Sequence, residues 1–233
     1  MRRWLLSLSA VALVTGFIAT PVASAQQSLN LYVGGFTVRP EDARDANDVL
    51  VQDQSFLDFH ISHFNGVTFG GEWLVGLGNL FDAGLGLGFY QNTVTAIDSF
   101  SEFEGTGAPI RADLKLRIVP FTATIRFLPL GHRAGIQPYV GGGVGVFAWR
   151  YSETGDFVAS DNVTIVHGNF VGSGGEAGPV VLGGVKVPIG PVAVGGEIRY
   201  QSAVADLPRD QGFAGTKIDL GGFNYLLTFN IRF

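Results

Sequence analysis

From the carboxyl end backwards, every second residue is bulky and apolar: Phe233, Ile231, Phe229, Leu227, Tyr225 and Phe223. Between them lie Arg232, Asn230, Thr228, Leu226, Asn224 and Gly222. A period of two puts successive side chains on opposite faces of a strand. The alternation runs for about twelve residues, longer than the usual globular strand. A tilted strand crossing a bilayer needs roughly 9–11 residues, with one face on lipid and the other on a polar interior.

Weaker copies of this pattern recur along the chain and predict seven earlier strands. Residues 29–38 set Leu29, Leu31 and Val33 on one face. Residues 39–55 are rich in Asp and Arg and read as a loop, with residues 56–64 extending a second strand. That strand puts Val67, Phe69, Trp73 and Val75 opposite Thr68 and Glu72. The third sets Leu85, Leu87 and Phe89 against Gly84, Gly86, Gly88, Tyr90 and Asn92, and residues 93–109 follow as a second long loop. Strand four, residues 110–128, changes phase: Asp113, Lys115 and Arg117 share one parity, Thr122, Thr124 and Arg126 the other. A bulge near Pro120 would bring both sets to one face.

Strand five, residues 136–150, leaves its faces open, because Val144 and Val146 favour one parity and Phe147 and Trp149 the other. Residues 151–174 read as a third loop. Strand six turns Val181, Val185 and Val187 outward and Lys186 inward. Strand seven turns Val192, Val194, Ile198 and Tyr200 outward, with Glu197, Arg199 and Gln201 inward. Residues 205–215 make a fourth loop before the last strand. Connections alternate long and short, as they do in membrane barrels, with both termini on the short-turn side. The expected fold class is all-β: an eight-stranded antiparallel up-and-down transmembrane β-barrel over residues 26–233.

The charged residues decide which face meets lipid. A soluble lipocalin-like barrel would bury Glu72, Arg126, Lys186, Glu197 and Arg199 in an apolar interior, where unpaired charge is costly. Turned the other way, Glu72, Lys115, Arg117, Arg126, Lys186, Glu197 and Arg199 face a lumen just wide enough for side chains to fill. There they are expected to pair across it and block water flow. Trp149, Tyr151 and Tyr200 come near the outer strand ends, and Tyr139, Phe127 and Phe233 near the inner ends, as two interfacial girdles.

Composition narrows the class further. Only 15% of residues are charged, against about a quarter in soluble domains. No Cys is present, which excludes disulfides, thiolate metal sites and thiol catalysis. Arg2 and Arg3, the apolar run over residues 4–18 and Ala23-Ser24-Ala25 make a secretion signal over residues 1–25. Without it, 13 Lys+Arg stand against 20 Asp+Glu. Such an acidic chain is a poor nucleic-acid binder.

These features resemble the small eight-stranded outer-membrane barrels of Gram-negative bacteria, of the OmpA transmembrane-domain, OmpW and opacity-protein type. Gln137-Pro138-Tyr139-Val140-Gly141-Gly142-Gly143-Val144-Gly145 is similar to their strand-five segment. The terminal segment carrying Tyr225, Leu227, Phe229, Ile231 and Phe233 is similar to the signal read by the barrel-insertion machinery. The resemblance implies an outer-membrane monomer in contact with lipid and lipopolysaccharide, acting structurally or through its four long loops. OmpA-type proteins often carry a peptidoglycan-binding domain after the barrel. This sequence stops at Phe233, so cell-wall anchoring is not expected. An OmpW-like passage for small hydrophobic compounds is the second reading.

The third is a lipid A-modifying esterase. His60 and Ser62, two apart on a strand, would share a face, so that His60 activates Ser62, with Asp58 on the same parity. In outer-membrane lipid A deacylases the His-x-Ser motif lies late in the chain, and a solvated loop is the preferred reading here. Gly143-x-Gly145-x-x-Ala148 mimics a dinucleotide fingerprint without the helix that must follow it. Asp42, Asp45 and Asp48 share a loop but lack EF-hand spacing. No catalytic residue, metal or cofactor is expected.

Overall fold

The computed structural model describes residues 26–103, 107–158 and 164–233. The signal peptide expected over residues 1–25 lies outside the described residues. Eight long strands run in order: β1 Gln27–Val38, β2 Gly66–Leu77, β3 Phe81–Phe103, β4 Ala108–Phe127, β5 Gln137–Val158, β6 Ile165–Ile189, β7 Val192–Gln201 and β8 Gly222–Arg232. Each pairs antiparallel with the next. β1 then pairs with β8, from Ser28↔Arg232 to Val38↔Gly222, and the sheet closes. The fold is the expected eight-stranded antiparallel barrel.

In the half nearer the short turns, apolar side chains point outward. Leu85, Val144 and Leu227 are 67%, 65% and 71% exposed. Asn30, Glu72, Thr124, Arg126, Glu197, Arg199 and Asn230 point inward and are buried. This apolar belt around a polar lumen is the surface of a bilayer-spanning barrel.

Farther out the two faces exchange character. The change falls at one cross-strand row, Gln91–Arg117–Arg150–Ser173. Beyond it Val94, Leu114, Leu116 and Tyr151 are buried inside, while Asp113, Lys115 and Thr95 face out. The outer half is therefore a water-facing barrel with an apolar core, not a continuation of a polar lumen.

This corrects the reading of strand four. β4 keeps one phase from Ile110 to Arg126. Its register with β3 is the same on both sides of Pro120, at Leu87↔Phe121 and Tyr90↔Ile118, and pairing with β5 runs through Pro120↔Phe147. No bulge occurs there; the register shift on β3 lies farther out, between Ile97 and Glu102. Lys115 and Arg117 thus point outward and are not lumenal charges. The polarity pattern slips because the surroundings of the outer face change from lipid to water at that height, while the backbone phase does not.

The open faces of strand five resolve in the same way. Val140, Val144 and Val146 face out; Tyr139, Phe147, Trp149 and Tyr151 face in. Tyr139, Trp149 and Tyr151 are therefore not girdle residues. The outer rim carries Tyr200 against Phe223 at a centroid distance of 4.9 Å, with Tyr225 one step nearer the membrane. The inner rim carries Phe81 against Phe127 at 5.3 Å, with exposed Phe233.

The connections also differ from the reading. Much of the second and third predicted loops is strand, because β3–β4 and β5–β6 stay paired where their outward faces have turned polar. Residues 56–64 do not extend β2. They hold a two-residue strand, Leu57–Asp58, on Ile97 and Asp98 of β3, then the 3-10 turn Ile61–Phe64. Before them comes a short helix, α1, Val49–Asp53, whose Val49 and Leu50 are wholly buried in the outer core. Asp48 caps it: its carboxylate accepts from Leu50 N at 3.0 Å, Arg44 Nη1 at 3.0 Å and Asp219 N at 2.6 Å. The fourth loop, read as residues 205–215, is bracketed by a small hairpin, Val204–Asp206 with Lys217–Asp219.

The exchange of faces gives a depth-dependent expectation. Leu227→Arg, in the apolar belt, is expected to lower unfolding free energy in liposomes by ~2–4 kcal/mol. Lys115→Leu, beyond the belt, is expected to change it by under about 0.5 kcal/mol. Urea titration followed by tryptophan fluorescence measures both; equal effects would remove the boundary drawn at Arg117.

Candidate functional site

The lumen inside the apolar belt is closed by four charges from three strands: Glu72 of β2, Arg126 of β4, and Glu197 and Arg199 of β7. Arg126 Nη2 binds Glu72 Oε2 and, at 2.9 Å, Glu197 Oε2. Arg199 Nη2 reaches Glu72 Oε2 at 3.2 Å and Glu197 Oε1 at 2.7 Å. Thr124 Oγ1 donates to Glu72 Oε1 at 2.9 Å, and the Tyr139 hydroxyl donates to Glu197 Oε2 at 3.0 Å. The Arg126 guanidinium lies 4.9 Å from the Tyr139 ring centre, and that of Arg199 lies 5.2 Å from the Tyr32 ring centre.

Two anions and two cations cancel, and each carboxylate oxygen has a partner. Desolvated charges are tolerated on those terms. Lumen-facing glycines make room for the aromatic shields. A Cβ at Gly88 would sit 2.7 Å from the Tyr32 hydroxyl, and one at Gly184 2.6 Å from that of Tyr139. The four charged residues are only 1–4% exposed, so the section they occupy is filled.

Lys186 makes a separate site near the short turns. Its Nζ lies 3.1 Å from Asp82 Oδ2, and His132 Nε2 lies 2.6 Å from Asp82 Oδ1. A space of ≈ 10 Å³ is lined by these three with Gln137 and Arg232, about room for one water. Of the seven predicted lumen charges, the structure brings four into one cluster, places Lys186 apart, and puts Lys115 and Arg117 outside. Asp82, His132, Tyr32 and Tyr139 are the partners the sequence reading missed. Asp82 carries a usable signal, since it shares parity with inward Gly84 and Gly86.

The outer core closes the lumen a second time. The Tyr151 hydroxyl donates to Asp53 Oδ2 at 3.0 Å, which ties α1 to the wall. Asp53 and Glu153 are both buried there. Burial, reinforced by the neighbouring Glu153, pushes the Asp53 carboxyl up to about 9. Burial likewise pushes Glu153 up to about 7.

The other candidates do not assemble. His60 and Ser62 lie at a 3-10 turn rather than on a strand, so they do not share a face. His60 packs its ring against His63 at 5.3 Å, and its backbone N–H donates to His63 Nδ1 at 3.4 Å. Asp48 is occupied by Arg44 and backbone, while Asp45 accepts from Asn47 N at 2.8 Å. Among the described residues no group of three potential metal ligands converges. Gly143 sits in mid-strand, where a Cβ would collide with the Ala123 carbonyl. The groove beside the glycine-rich stretches of β3 and β5, lined by Trp73, Leu85, Ile125 and Val144, opens on the outward face.

Two expectations follow from the buried charges. Arg126→Met leaves Glu72 and Glu197 short of a cation and is expected to lower stability by about 3–5 kcal/mol, read from urea unfolding in detergent. Adding Glu197→Gln to Arg126→Met is expected to recover part of that loss; full additivity would argue against direct coupling. In the outer cap, Asp53 and Glu153 keep protons in the folded chain at pH values where the unfolded chain releases them. Their contribution is therefore whole below about pH 4 and declines as pH rises towards the raised values. Hydrogen-exchange protection in α1, taken relative to the unfolded-chain rate at each pH, is expected to fall over that interval, and Asp53→Asn to flatten the dependence.

No family model matches the chain, and no curated protein matches it. Solved structures similar to it include the outer membrane protein OprG from Pseudomonas aeruginosa, at 15% identity and a TM-score of 0.47, covering 90% of this chain and 97% of that one. A major outer membrane protein from Thermus thermophilus shows 15% identity and 0.47, over 90% and 100%. Neisserial surface protein A shows 13% and 0.46, over 90% and 98%.

Proposed function

We propose that the protein is an integral outer-membrane barrel with a closed lumen, acting structurally or by surface interaction through its outer hairpins and loops. The observation that carries this reading is the double closure: a neutral four-charge cluster at one height and an apolar core with α1 at another. The secretion signal expected from the sequence and the all-strand crossing favour the outer membrane over other bilayers. On this reading the barrel is a monomer in contact with outer-membrane lipid and lipopolysaccharide. The outward row Tyr225, Leu227, Phe229, Ile231 and Phe233 is what the insertion machinery reads during assembly. No chemistry is assigned to the barrel.

The test is planar-bilayer conductance of the purified, folded protein. No steady unitary current is expected at any modest voltage. Reproducible steady channels would overturn the closed lumen and restore the passage for small compounds.

A further inference from the structure

Just beyond the apolar belt, Arg117 of β4 and Arg150 of β5 stand directly opposite each other in register, both facing out and exposed. Lys115 lies two residues farther out on the same face, also exposed. Like charges directly opposite on paired strands repel and destabilise the pairing. Here no carboxylate relieves them: among the described residues none of the three takes part in an ion pair. Asp113, the next outward residue on β4, accepts from Thr95 Oγ1 at 2.6 Å. Arg39, at the far rim, is by contrast held by Asp219 at 2.7 Å.

The surroundings of the row define what fits it. One step towards the membrane the same face carries Phe89, Val119 and Ala148, so the cations begin where the apolar belt stops. Gln91 flanks Arg117 across one strand pairing, and Ser173 flanks Arg150 across the other. Neighbouring strands lie about 4.8 Å apart, so a single phosphate spans the two guanidiniums. Arginine forks match phosphate oxygens, and anionic head groups draw basic residues at a bilayer surface.

We propose that this row is a binding site for the phosphate groups of the anionic glycolipid of the outer leaflet. Arg117 and Arg150 grip one phosphate between them, Lys115 adds a third cation, and Gln91 and Ser173 supply neutral donors. The acyl chains then lie down the belt over Phe89, Val119 and Val146. This rests on the outer-membrane reading above and adds the ligand's class and place to it.

The test uses the full mature protein, folded in a zwitterionic detergent. Retention of bisphosphorylated lipid A is compared with that of its fully dephosphorylated form by native mass spectrometry. The phosphorylated form is expected to bind at least about tenfold more tightly, and Arg117→Gln/Arg150→Gln to remove that preference. Equal retention of both lipids by the wild-type protein would overturn the site, as would an unchanged preference in the double variant. The wild-type comparison stands if the variant fails to fold, which heat-dependent gel mobility reports. Full displacement by millimolar inorganic phosphate would also overturn it, in favour of a free-anion site. Loss of this site leaves bilayer silence untouched, whereas a protein that stays folded and dispersed without detergent removes the membrane reading itself.

Discussion

Inside a hydrocarbon layer no water is present to satisfy a backbone N–H or C=O, and every such group must find its partner within the protein. For strands that leaves one solution, a sheet joined to itself. The pairing of β1 with β8 supplies it, and the rest of the molecule is arranged by its consequences. A closed ring of eight strands has an interior of fixed width, so the inward residues of every strand meet one another. Charges that alternation forces inward cannot escape to solvent. They are tolerated because β2, β4 and β7 deliver opposite signs to the same height.

The ring also explains why one strand can serve two environments. The phase of β4 is fixed by its hydrogen bonds to β3 and β5 and cannot change without a bulge. What changes along it is the medium outside. Against lipid, the outward positions are Phe121, Ile125 and Phe127; beyond the boundary they are Arg117, Lys115 and Asp113. The inward positions change in the opposite sense, from Arg126, Thr124 and Thr122 to Ile118, Leu116 and Leu114. Against lipid the interior holds the charge cluster, and where the outside is water the interior is largely an apolar core, which reaches into the belt at Ile118, Phe147 and Trp149. The small helix α1 and the turn Ile61–Phe64 bury Leu50 and Phe64 in that core, a use of the first loop that its acidic composition conceals.

This inversion marks the limit of what is legible in the sequence. Strand count, antiparallel order, closure and the faces of β1, β7 and β8 follow from alternation alone, because in those strands the bulky outward positions stay apolar and no outward charge breaks the pattern. Alternation reports which residues share a face but not what lies against it. By alternation and charge alone, Lys115 and Arg117 fall into the lumen through a bulge that does not exist. For the same reason Trp149 and Tyr151 read as a lipid girdle when they fill the outer core. The charge cluster is half legible: Glu72, Arg126, Glu197 and Arg199 announce themselves as charges in strands. The tyrosines that shield them do not: Tyr139 reads as an interfacial residue and Tyr32 carries no signal, until the register places Gly184 and Gly88 beside them.

The two closures of the lumen differ in what would open them. The cluster is held by four mutual ion pairs among groups that are nearly inaccessible to water, so separating any one pair leaves a desolvated charge without its partner. That is a brace between opposite walls, with no cheaper arrangement nearby. The outer closure is largely apolar and includes a segment from a loop, α1, joined to the wall by the Tyr151–Asp53 hydrogen bond, to the Lys217–Asp219 strand of the small hairpin through Asp48, and by packing. Apolar packing has no obligatory partner and loosens by degrees. The carboxyls of Asp53 and Glu153 are buried in that closure, and water reaching them would favour their ionised forms. The outer closure is therefore the one exposed to conditions outside the membrane, while the inner one rests on ion pairs buried from them.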